Sequence, residues 1–198
     1  MKLAKFLSYT FHPIVIPTLA VLFLFIGIDP AKNQESNLIT LAVVFFFSYI
    51  VPVLVLIALK RNGSIDSMSI PDVAQRKIPL MLGTIISIIL YFYSLVLLGD
   101  LYLSYYFLGC IASSLLLYAG QLRGFKISIH MAGISSLLGF LIIVSYTSKI
   151  DLLPYITVLI LLTGLIAFSR LRLKAHSNKE IIVGTIAGFG GQLISIFL

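Results

Sequence analysis

Apolar residues run along this chain in seven long blocks: Phe11–Ile28, Leu38–Leu59, Leu80–Leu98, Leu101–Ala119, Met131–Tyr146, Leu152–Phe168 and Ile181–Leu198. Each approaches the roughly 20 residues that cross a bilayer core as a helix. Lipid cannot satisfy an exposed backbone N–H or C=O, so spanning segments favour helices. A β-barrel would alternate apolar and polar positions, and these blocks do not. The pattern predicts an all-α, polytopic transmembrane bundle of about six or seven spans, one integral-membrane domain over residues 1–198. The block from Met131 is short, which leaves a re-entrant segment open there. The first block follows Lys2 and Lys5, as a signal peptide would. Pro13 and Pro17 interrupt it and no small-residue cleavage site follows, so a span is the expected reading. No internal repeat or low-complexity tract is present.

Composition strengthens this picture. The chain is 60% hydrophobic and 11% charged, against about 25% charged in soluble domains, and its mean hydropathy is +1.10. These values argue against a soluble enzyme, a disordered chain or a nucleic-acid-binding domain. Cys110 is the one cysteine, so neither an intrachain disulfide nor a cysteine zinc site is available.

Charge then adds direction. With seven spans, the N-terminus and the segments Lys60–Pro79, Gly120–His130 and Ser169–Glu180 share one face. Of the 14 basic residues, only Lys32 and Lys149 fall on the other. The first face carries Asp66, Asp72 and Glu180; the second carries Asp29, Glu35, Asp100 and Asp151. The net charge of +7 therefore comes from one side. Topology alone explains such a bias, because basic loops stay cytoplasmic. All three histidines (His12, His130 and His176) lie on the same face, which adds a possible anion site to the topological reading.

Three segments carry candidate chemistry. In Ser169–Gly184, SRLRLKAHSNKEIIVG, Arg170 offers a planar fork suited to phosphate. Glu180 follows His176 by four residues, so a helical start puts them on one face. A carboxylate on one imidazole nitrogen leaves the other free as nucleophile or base. A helix beginning near Ser177 or Asn178 would also turn its N-terminus toward an anion. In Phe125–Gly133, FKISIHMAG, Lys126, Ser128 and His130 cluster where a span begins, and His130 suits a general acid. In Ile70–Leu80, IPDVAQRKIPL, Arg76 and Lys77 precede Pro79 at the mouth of a span. Taken singly, each segment also fits an ordinary basic interfacial loop. Two spans separate each segment from the next, so all three return to one face.

In combination these segments resemble the type-2 phosphatidic acid phosphatase superfamily, which shares its fold with vanadium haloperoxidases. The resemblance runs from about Asp72 to Gly184. Ser169, Arg170, His176 and Glu180 match the family's serine, arginine, nucleophilic histidine and acidic positions. Ser128 and His130 stand in the place of the second motif, and Arg76, Lys77 and Pro79 approximate the first. Departures are Ile127 for proline, Ile129 for glycine, Glu180 for the commoner aspartate, a displaced first-motif lysine, and a hairpin of spans, Leu80–Ala119, between the first two motifs.

The resemblance implies a metal-free lipid phosphate phosphatase with no cofactor. His176 would attack phosphorus and Glu180 would orient it. His130 would protonate the leaving alkoxide. Arg170, Arg76 and Lys77, with Lys126, Ser128 and Ser169, would hold the phosphate. The expected partners are a phosphorylated lipid substrate and membrane lipids, not nucleic acid. The substrate classes are phosphatidic acid, phosphatidylglycerol phosphate or a polyprenyl (di)phosphate. The expected location is a membrane such as the bacterial inner membrane. The charge bias puts the site face in the cytoplasm, whereas many relatives of the resembled family face the periplasm. A silent lipid-phosphate binder or transporter would use the same cations. Asp66 and Asp72 are too few for a Mg²⁺-dependent transferase. The Gly133–Ser136 run, and Gly188, Gly190 and Gly191, read as helix packing. Tyr91, Tyr93, Tyr102, Tyr105 and Tyr106 read as interfacial belts or hairpin lining, and His12 reads as interfacial.

Overall fold

The computed structural model describes residues 1–27, 34–68, 70 and 72–197. Asp29 and Lys32, counted in the charge bias above, lie outside the described residues, as do Ile28 and Leu198 at the ends of two apolar blocks. Every regular element among the described residues is helical: α1 Lys2–Thr10, α2 Ile16–Gly27, α3 Glu35–Arg61, α4 Ala74–Leu98, α5 Leu101–Leu122, α6 Ile129–Ser148, α7 Leu153–Arg172 and α8 Asn178–Ile194.

Helices α3 to α7 are each long and apolar enough to cross a membrane. The outer two blocks give shorter helices of 12 residues for α2 and 17 for α8. Pro13 and Pro17 explain the first of these. The chain turns through Phe11–Val15 before α2 starts, and Pro17 sits in its first turn, where a missing N–H is tolerated. What the sequence presents as an N-terminal tail forms α1. Ala4, Leu7 and Ser8 face inward, while Leu3, Phe6 and Tyr9 are exposed. In α3, Pro52 cannot donate to the carbonyl of Ser48, and the helix widens into a π turn at Phe46–Ile50. The hairpin between α4 and α5 closes at Gly99, which adopts φ +63. Asp100 then caps α5, accepting from the Leu103 N–H at 3.0 Å.

The short block at Met131 becomes a continuous 20-residue helix, α6, rather than a re-entrant segment. It begins two residues earlier than the apolar block because Ser128 caps it. With 56% of its apolar window buried, α6 is the most enclosed of the five long helices. Helix α8 runs parallel to it. Gly184 lies against the backbone of Ser128 and Gly188 against that of Ala132, where a Cβ would collide with a carbonyl oxygen. Deeper in the bundle, Gln192 of α8 donates to Ser136 Oγ at 2.7 Å and to the Tyr106 carbonyl at 3.1 Å. Gly190 faces open space, so the packing expected of it falls to its neighbours. Of the two places expected for Tyr106, an interfacial belt or the lining of the hairpin, it does not take the first. It is 1% exposed and packs on Phe140, with ring centroids 4.9 Å apart.

Candidate functional site

The starts of α4 and α6, the end of α7 and the loop before α8 meet at one end of the bundle. Arg76 is buried in the opening turn of α4. Its Nε donates to the Ile70 carbonyl at 2.9 Å and its Nη1 to the Ile127 carbonyl at 3.3 Å. The side chain thus pins the approach to α4 against the approach to α6. His130 stands in the first turn of α6 and donates from Nε2 to the Ser8 carbonyl at 3.1 Å. Arg170, in the last turn of α7, donates from Nη1 to Ser8 Oγ at 2.5 Å, while its Nε is buried without a partner among the described residues.

His176 lies between α7 and α8. Its Nδ1 meets Glu180 Oε2 at 2.7 Å. The carboxylate therefore holds the proton on Nδ1 and leaves a lone pair on Nε2. Glu180 is itself held in place. Ser177 caps α8 in a reciprocal capping box, with the Glu180 N–H donating to Ser177 Oγ and the Ser177 N–H donating to Glu180 Oε2, each at 3.4 Å. Burial, with the positive charges of Arg170 and Arg76, pulls the His176 imidazole down to about 4, against the opposing pull of Glu180. His176 is therefore neutral at physiological pH.

These side chains border a cavity of about 260 Å³. One end is lined by His12, Arg76, His130, Arg170 and His176. The remainder is walled by apolar residues such as Leu56, Ile86, Leu90, Phe107 and Leu117, filling the gap between α3 and α4. No carboxylate is among its described lining residues. Two guanidinium groups thus face an uncharged, low-dielectric corridor, where attraction for an anion is stronger than in water. Among the described residues, no three His, Cys, Asp or Glu side chains are grouped to hold a metal ion.

Four expected phosphate contacts lie elsewhere. Lys77 follows Arg76 by one residue, a turn of about 100° around the helix, and is exposed outside the cavity. Lys126 is half-buried, does not line the cavity, and acts electrostatically on Glu180. Ser128 is fully buried as the cap of α6, with its N–H donating to the Glu180 carbonyl at 3.2 Å. Ser169 is equally buried and donates to the Ala4 carbonyl at 2.5 Å, which fastens α1 to α7. Two residues enter the site that sequence reasoning left out or placed at the interface. Ser8 bridges Arg170 and His130, and His12 packs edge-on against His130, with ring centroids 5.1 Å apart. A histidine directly before Pro13, at the edge of an apolar block, was the available signal for the second. Nothing in the sequence marks the first.

Comparison of the chain with family models, with curated proteins and with solved structures finds no match. Five apolar helices of membrane-crossing length fit an integral membrane protein.

Proposed function

We propose that this protein is an integral-membrane lipid phosphate phosphatase, built as a divergent bundle of about six or seven spans of the type-2 phosphatidic acid phosphatase kind and acting through a phosphohistidine without metal or cofactor. The observation that carries this reading is the two-sided cavity. Donors from Arg76, Arg170 and His130, with the Nε2 lone pair of His176, crowd one end, and apolar walls continue from them into the bundle. A phosphate with a hydrocarbon tail is complementary to both parts at once.

In the proposed reaction the phosphate enters beside Arg170 and Arg76, which neutralise charge developing on its equatorial oxygens. The Nε2 lone pair of neutral His176 attacks phosphorus in line. The P–N bond forms as the bond to the lipid oxygen breaks, and Glu180 stabilises the positive charge arising on the ring. His130 takes up a proton as the phosphate dianion enters, and as an imidazolium gives its Nε2 proton to the departing oxygen, which takes the place now held by the Ser8 carbonyl. The lipid alcohol leaves. Neutral His130 then takes a proton from water as the water attacks the phosphohistidine. The P–N electron pair returns to His176, inorganic phosphate departs, and His130 is an imidazolium again.

The deciding measurement is phosphate release from phosphatidic acid, phosphatidylglycerol phosphate and polyprenyl mono- and diphosphates, in detergent with a chelator present. Loss of turnover in folded His176→Ala and Arg170→Ala is expected. Wild-type activity in His176→Ala ends the phosphohistidine scheme. One observation favours the alternative of a silent lipid-phosphate binder: His130 Nε2 and Arg170 Nη1 are both engaged by Ser8. Tight lipid binding without turnover decides for it. For location, the basic face argues for a cytoplasmic site in a membrane such as the bacterial inner membrane, and the family resemblance argues for a periplasmic one. Cysteine labelling at position 178 from either side separates the two.

A further inference from the structure

Three histidines line the polar end of the cavity, and the proposed reaction uses two. His12 sits in the turn between α1 and α2, where its Nδ1 accepts the Ile14 N–H at 3.4 Å. An accepting Nδ1 puts the ring hydrogen of the neutral imidazole on Nε2. Among the described residues that N–H has no acceptor, while the ring borders the cavity and stands at 80° to His130. The donor is open to the cavity, where a ligand oxygen would accept from it.

The neighbour tells which oxygen. His130 is the residue that faces the leaving group in the proposed reaction, on which this inference rests. A plain alkoxide presents one bridging oxygen there, and His130 takes it. Arg170 and Arg76 engage the non-bridging phosphate oxygens in that reaction, so a donor beside His130 is matched by a second oxygen carried on the leaving group. We infer that His12 is a substrate-binding residue that selects lipid phosphates whose leaving group bears a second hydrogen-bond-accepting oxygen. The phosphate oxygens of a lipid diphosphate and the hydroxyl or ester oxygens of a glycerolipid both meet that description. A prenyl monophosphate does not.

The test uses the full chain in detergent on a His176→Ala background, so that turnover does not consume the ligands. Affinities for farnesyl phosphate, farnesyl diphosphate and lysophosphatidic acid are measured by isothermal titration for His12, His12→Leu and His12→Gln. Glutamine places an amide N–H near the position of the imidazole Nε2. The Leu variant is expected to weaken farnesyl diphosphate or lysophosphatidic acid by about tenfold and to leave farnesyl phosphate within about twofold. The Gln variant should recover most of the loss. Which of the two lipids responds identifies the source of the second oxygen. Equal loss on all three lipids, or no loss on any, overturns the assignment, and a chain that binds none of them overturns it together with the phosphatase reading. If the selective pattern appears while the wild-type chain releases no phosphate, His12 keeps its role and the phosphatase reading falls alone.

Discussion

Two of the places where polar side chains are buried in this bundle treat their hydrogen-bond donors oppositely. Around Gln192, where α5, α6 and α8 cross, the amide donors are spent on Ser136 and on the Tyr106 carbonyl, though Oε1 has no partner among the described residues, and Ser113 donates to the carbonyls of Ala187 and Gly188. Those bonds tie helices to one another. At the polar end of the cavity the donors stay partly open. Among the described residues Arg170 Nε has no partner and no carboxylate lines the space, while His176 keeps its Nε2 lone pair clear of Glu180. Internal pairing is what a helix junction needs. An excess of donors over acceptors, next to an apolar corridor, is what an anionic lipid needs.

Mutation should separate the two regions by what each change damages. The largest effect is expected from His176→Ala, which removes the proposed nucleophile and should lower phosphate release by at least about 10⁴-fold. Arg170→Ala and Arg76→Ala should each cost about 10²- to 10³-fold in kcat/KM. Arg76→Ala also frees the Ile70 and Ile127 carbonyls and should lower the unfolding temperature in detergent, whereas His176→Ala and Arg170→Ala should keep it near wild type. If they unfold instead, the polar end of the cavity is a structural junction like the other.

Gly188→Val should act in the reverse sense. A side chain there meets the Ala132 carbonyl, so the α6–α8 contact must open, at a cost of about 1–3 kcal/mol, read as a lower unfolding temperature. The fraction that stays folded should keep its turnover. The mildest change is Gln192→Leu. Intramembrane hydrogen bonds average about 0.6 kcal/mol, so a small loss of stability and unchanged kcat are expected. A large fall in kcat would place Gln192 in the reaction and erase the contrast between the regions.

Acidity provides a further contrast. Folded His176 takes a proton only near pH 4, while the ordinary value is 6.5. Between those values the unfolded chain binds more protons, so the contribution of His176 to stability is full above about 6.5 and is lost as pH falls toward 4. His176→Gln should flatten that part of the pH profile, whereas Gln192→Leu should leave its shape unchanged. Bound phosphate offsets the Arg76 and Arg170 charges and should move His176 upward, a shift that histidine NMR can follow.

Several parts of the site were legible in the linear chain because they are local. Glu180 lies one helical turn from His176, and Ser177 with Glu180 forms a capping pattern at the start of α8. Arg76, His130, Arg170 and His176 could be assigned to one end because even numbers of spans separate their segments, and all four border one cavity. Other parts were not legible because they depend on rotation and on distant contacts. Choosing Arg76 over the adjacent Lys77 needs the orientation of the first turn of α4. The loss of Ser169 as a phosphate contact follows from its bond to Ala4, 165 residues away. Ser8 reaches Arg170 and His130 across 162 and 122 residues, and no periodicity in the sequence encodes those pairings.

The sequence by itself determined the medium and the connectivity. Long apolar blocks need lipid and helical backbone bonding, and their number sends the basic segments to one face. Only the tertiary structure decided which of those basic and hydroxyl side chains look into the cavity and which hold helices together. That choice depends on how α6 and α8 pack through glycines, how α1 folds back onto α7, and where a gap remains between α3 and α4. Each is a matter of close packing between segments far apart in the chain, where a rotation of one residue moves a side chain from the cavity to the surface.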